Sequence, residues 1–139
     1  MSYATANDMV ERFGESVMIG LTDLTHAGMV DVAKAELALE DASAEIDGYL
    51  GRYQLPLNPV PKILTVYACD IARYRLATGM RQANDDVLSR YEAAISYLKL
   101  VAKGVASLGG LPAGEDLSTD NSVLFTDPQE KVFGRGNAY

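Results

Sequence analysis

The sequence is poor in the residues from which most active sites are built. It has one cysteine, Cys69, and one histidine, His26, in 139 residues. A lone cysteine cannot close a disulfide within the chain. Set in an apolar segment, Cys69 reads as a small buried hydrophobe, not a catalytic thiol, and fits synthesis in a reducing cytoplasm. His26 has no second histidine with which to share a metal and reads as solvent-exposed. No glycine-rich phosphate loop, cysteine cluster, GxSxG or HExxH pattern is present. No apolar run is long enough to span a bilayer, and the opening "MSYATAND" has neither the basic region nor the apolar block of a signal peptide. Positive charge is scarce: 12 Lys and Arg face 19 Asp and Glu, a formal net charge of −7. That balance opposes broad binding to a phosphate backbone, which needs a positive footprint. It suits a protein that surrounds nucleic acid without gripping it, because acidic walls repel phosphates.

What is present is helical patterning. The length suits one domain, and 48% hydrophobic with 22% charged residues is ordinary for a globular chain able to bury a core without disulfides or metal. Thr5 and Asp8 form a capping-box pair, followed by Met9, Val10 and Phe13, and Gly14 interrupts the run before Val17–Leu21. This predicts one broken helix or two short ones. In "LTDLTHAGMVD", Asp23 and Gly28 match two positions of a calcium loop, but Thr25, Ala27 and Lys34 stand where oxygen ligands are needed, so the stretch reads as a turn without metal.

Asp31 can cap a helix running to about Gly51, with a buried stripe of Ala35, Leu39, Ala42, Ile46, Tyr49, Leu50 and Tyr53; it would be about 30 Å long. In "YLGRYQLPLNPVP", residues 49–61, Gly51 ends that helix, Pro56 stops any continuation, and Asn58 with Pro59 is expected to start the next. That next helix, apolar on most sides between Ile63 and Ala72 and ending near Gly79, belongs at the centre of a bundle. Asn84 caps a final helix with core positions Val87, Leu88, Tyr91, Ala94, Ile95, Leu98, Val101, Ala102 and Val105, stopped by Gly104. The expected fold is all-α: a small bundle of four to five helices over residues 1–108, followed by a linker and C-terminal arm over 109–139. The linker "GGLPAGEDLSTDNS" is rich in glycine and small polar residues. The arm carries apolar anchors, and Phe125, Val132, Phe133, Arg135 and Tyr139 are its candidate assembly contacts.

One polar set has chemical interest. Asp70 lies on the helix side that carries Ile63, Tyr67 and Tyr74, and a carboxylate there needs a partner. Arg52 or Arg73 could supply it, as a structural ion pair fixing the helical hairpin. The functional alternative is an anion pocket of Arg52, Arg73 and Arg75, as in small all-helical enzymes of the chorismate mutase kind. No catalytic, cofactor or metal residue is assigned.

Residues 41–76, "DASAEIDGYLGRYQLPLNPVPKILTVYACDIARYRL", resemble a Mu-like phage protein family of formerly unknown function. The likeness covers residues 3–109 well and the tail more loosely. Asp47–Gly48–Tyr49–Leu50, Gly51–Arg52–Tyr53, Leu55–Pro56–Leu57 and Asp70, Ile71, Ala72 and Tyr74 carry the motif. The turn at 23–31 departs from it in being less acidic. The resemblance implies a non-enzymatic virion protein of the head–tail junction, present in the host cytoplasm before assembly and similar to the head–tail connector or adaptor proteins of long-tailed phages. It implies a homo-oligomeric ring, twelve-fold, beneath the portal protein, receiving the downstream tail-joining protein. DNA would pass through without specific binding, and no membrane is involved. The arm then reads as a segment that reaches a partner.

Overall fold

The computed structural model describes residues 2–108, and within them five helices follow one another with no strand. They are α1 (Ala6–Phe13), α2 (Glu15–Thr22), α3 (Val32–Asp47), α4 (Lys62–Gly79) and α5 (Asp85–Ala102). The all-α bundle expected from periodicity is what forms. The arm, with Phe125, Val132, Phe133, Arg135 and Tyr139, lies outside the described residues.

Helix α4 is the centre. It packs against α3 on one side and α5 on the other, and α1–α2 lies across α3 and α4. Its Leu64, Ala68, Cys69, Ile71, Ala72, Leu76 and Ala77 are all buried. The α3 face beside it is built from Ala35, Ala38, Leu39, Ala42, Ser43 and Ile46. Tyr3 straps the chain start to this pair. Its N–H donates to Ser43 Oγ at 3.0 Å, its hydroxyl donates to Asp47, and its carbonyl accepts from Thr65 Oγ1 at 2.9 Å.

The helix ends follow local chemistry. Thr5 and Asp8 close the capping box reciprocally, with Asp8 N–H on Thr5 Oγ1 at 3.2 Å and Thr5 N–H on Asp8 Oδ2 at 2.9 Å. Gly14, at φ 94°, breaks the first segment into two helices, a conformation that a Cβ would strain. Asp31 caps α3 through Lys34 N–H, and Asn84 caps α5 through Val87 N–H.

Two boundaries and one buried face differ from the sequence reading. Helix α3 stops at Asp47, not Gly51: the Tyr49 and Leu50 N–H groups bond three residues back, to Ile46 and Asp47. This tighter winding still carries Leu50 and Tyr53 into the core, which is why the buried stripe outlasts the helix. Helix α4 starts at Lys62, with Pro61 as its N-cap, not at Pro59. Proline at 61 disfavours α geometry at Val60, so no helix can run from Asn58 through that residue. The peptides Leu55–Pro56 and Asn58–Pro59 are cis. Leu88 and Ala102 of α5, and Val105 beyond its end, are exposed against expectation. This helix packs mainly on α4, so only a narrow stripe (Val87, Ala94, Leu98 and Val101) is covered fully.

Candidate assembly surface

The arginines expected to gather do not. Arg52, in the α3–α4 corner, donates from Nε to the Ala102 carbonyl at 3.0 Å. It thereby satisfies one of the free carbonyls at the α5 C-terminus and complements the helix dipole. Its guanidinium lies against Gly104, whose φ of 82° turns the chain out of α5. Arg73 stands over the Phe13 ring, 4.7 Å from the centroid, and 3.8 Å from Asp86 at the opposite end of α5. Arg75 pairs with Glu45 of α3 at 2.7 Å; that carboxylate also accepts from Tyr91 OH at 3.2 Å, and Tyr91 stacks on Tyr74 at 4.1 Å. From Asp86 to Ala102 is about 24 Å of helix, so Arg52 and Arg73 cannot share one small ligand. The chorismate mutase-like pocket is not formed.

Asp70 is buried, 8% exposed, as its position on α4 required. Among the described residues no arginine forms an ion pair with it; Arg52 in particular is engaged at the far end of α5. Burial raises the Asp70 carboxyl above the ordinary carboxylate range. The fields of Arg90, Arg73 and Arg12 oppose this without cancelling it, and Asp86 adds to it. The expected contact pair is replaced by a looser group of charges linking α1, α4 and α5. Cys69 is fully buried, and burial pushes its thiol up to about 12, which leaves it protonated and inert at neutral pH.

A cleft of about 250 Å³ opens between α2, α4 and the start of α5, bordered by Val17, Gly20, Arg73, Ala77, Gln82 and Asn84. It lies below the usual range for small-molecule sites, about 300–1,000 Å³, and Arg73 is already committed to Phe13 and Asp86. No group of residues suited to hold a metal occurs among the described residues, and none of their helices is long and apolar enough to cross a membrane.

The surface instead presents apolar side chains on an ordered frame. In the α2–α3 loop the Asp23 carboxylate accepts from Ala27 N–H at 2.9 Å and Gly28 N–H at 2.8 Å; these bonds hold its pKa down. Thr22 Oγ1 accepts from Asp31 N–H at 3.0 Å and closes the loop. His26 is exposed in it, as the sequence reading expected. The same loop exposes Leu24 (60%) and Met29 (62%), and α3 exposes Val32 and Leu37 (60%). Leu37 escaped the sequence reading, although a signal existed: it is out of phase with the Ala35–Leu39–Ala42–Ile46 stripe. Scattered exposed hydrophobics are normal, and these four fall within one stretch, residues 24–37.

The family model described as "Bacteriophage Mu, Gp36" matches residues 3–127, further into the tail than the motif residues reach. The chain is 37% identical over 137 residues to the Mu-like prophage FluMu protein gp36 of Haemophilus influenzae, covering 98% of this chain and 95% of that one. It is 38% identical over 125 residues to gene product J of Escherichia phage Mu, covering 84% of this chain and 87% of that one. With five helices in the matched region and relatives aligned over most of both lengths, the chain belongs to the bacteriophage Mu Gp36 family.

Proposed function

We propose that this phage protein is a head–tail connector: a structural component that assembles as a twelve-fold homo-oligomeric ring beneath the portal protein and extends the DNA channel. The observation that carries this reading is the contrast between its surface and its polar residues. Apolar groups at Leu24, Met29 and Leu37 stand free on a braced frame, while Arg52, Arg73 and Arg75 are each consumed in holding the fold together. A small-molecule enzyme shows the reverse, with polar groups converging in a concave site.

In this reading the protein does its work by fitting against neighbours, with no catalysis and no cofactor. The excess of acids over bases lets DNA pass without specific binding. The C-terminal segment, through Phe125, Val132, Phe133, Arg135 and Tyr139, contacts a neighbouring subunit or the portal, and the outer rim of the ring receives the next tail-joining protein. The protein stands at the head–tail junction of the virion.

Electron microscopy of the full chain mixed with the portal protein tests the proposal. Rings seated coaxially on the portal are expected. A chain that stays monomeric and leaves the portal bare at high concentration would refute it. Removing residues 120–139 should leave the helical signal and unfolding midpoint unchanged while reducing portal binding; unaltered ring formation on the portal would exclude the C-terminal contacts.

A further inference from the structure

Helix α3 buries one face against α1, α2 and α4 and leaves the other without a partner among the described residues. At the centre of the open face stands Leu37, with Ala33 one turn before it and Ala44 two turns after, all exposed. Glu36, Glu40 and Asp41 lie beside Leu37 on the helix surface, with Lys34 on its N-terminal side, and none of the three carboxylates forms an ion pair among the described residues. An exposed leucine with three unpaired carboxylates around it suits an apolar side chain accompanied by cations.

The C-terminal arm contains such a segment. In "KVFGR", residues 131–135, Lys131 and Arg135 flank Val132 and Phe133, and they are the only basic residues after Lys103. We propose that the outer face of α3 receives the Lys131–Arg135 segment of a neighbouring copy, with Phe133 against Leu37 and the two cations against Glu36, Glu40 and Asp41. This rests on the assembly reading above and names the surface through which one subunit holds the next.

Chain length gives the segment the reach to meet a neighbour. The body is pinned down as far as Leu108, which is fully buried, near the α5 end where Tyr97 OH donates to Ser107 O at 2.6 Å. From there, residues 109–130 carry Glu115, Asp116, Asp120, Asp127 and Glu130 with no lysine or arginine. Twenty-two residues can extend about 70–80 Å, which is ample for reaching an adjacent subunit.

The test is a cysteine pair in the full chain, Leu37→Cys with Phe133→Cys, oxidised gently under the conditions used to form rings on the portal. Cys69 is buried and does not interfere. Disulfide-linked dimers and higher ladders on a non-reducing gel are the expected result. Glu92→Cys with Phe133→Cys, on an exposed α5 position, is the control. Reversing Glu36 and Glu40 to lysine should cut the cross-link yield roughly fivefold, and adding Lys131→Glu and Arg135→Glu should restore it. A disulfide confined within one chain, no disulfide, or equal yield from the control pair would each overturn the proposal. Rings on the portal without the Leu37–Phe133 link would overturn this docking site alone; absence of rings would overturn the connector reading.

Discussion

Gly104 and Arg52 offer a quantitative check on how the α3–α4 corner is held. At φ 82°, an alanine at 104 would pay about 1–2 kcal/mol for left-handed backbone geometry. Its Cβ would also stand 3.2 Å from the Arg52 guanidinium carbon, too close for the present arrangement. Arg52 is a long side chain and can swing away, but in doing so it gives up the bond from Nε to the Ala102 carbonyl. That bond, between a cation and a helix C-terminus but open to solvent, contributes about 1 kcal/mol. Gly104→Ala should therefore cost about 2–3 kcal/mol in the native background and only the backbone share, about 1–2 kcal/mol, in an Arg52→Ala background. Urea unfolding of the four proteins, followed by far-UV circular dichroism, gives the coupling directly. A coupling near 1 kcal/mol supports the contact, whereas additivity within about 0.3 kcal/mol would show that Arg52 does not rest on Gly104.

Other predictions follow from burial. Ile71→Asp removes a fully buried side chain and leaves an unpaired charge, about 5–8 kcal/mol in all, so the far-UV spectrum should be that of an unfolded chain; a cooperative native-like melt would contradict the central placement of α4. Asp70 has a raised native pKa, so the native state holds a proton that the unfolded state has lost between the ordinary carboxylate value and the raised one. Stability should fall as pH rises through that window, from about pH 4 upward, and Asp70→Asn should flatten the slope in urea titrations at successive pH values. Cys69 should resist a neutral-pH thiol reagent in the folded protein and react on unfolding, so labelling at full rate under native conditions would contradict its burial.

The helices were legible in the sequence because their signals are local. Thr5, Asp31 and Asn84 cap where their side chains reach the backbone within three residues, and Gly14 breaks a helix by its own geometry. The α4 start was missed because Asn58–Pro59 is a good local signal overruled by Pro61, which acts on Val60 before it. The α5 stripe was drawn too wide, since periodicity gives a face but not the number of neighbours that cover it. The side-chain partners were the least legible. Asp70 was correctly placed indoors, but Arg52 and Arg73 lie at opposite ends of α5, and only the packed fold decides which carbonyl, ring or carboxylate each one meets. Leu37 does not enter the sequence reading, because a stripe defines what is buried and says nothing of what the far side is for.

The seam between α3 and α4 has a mechanical consequence. Its buried faces are rich in Ala35, Ala38, Ala42 and Ser43 on one helix and Ala68, Cys69, Ala72 and Ala77 on the other. Alanine has no rotamers to exchange, so such a joint has few alternative packings through which to slip. Load applied to the outside of α3 is passed to α4 and on to α5 as if through one solid piece.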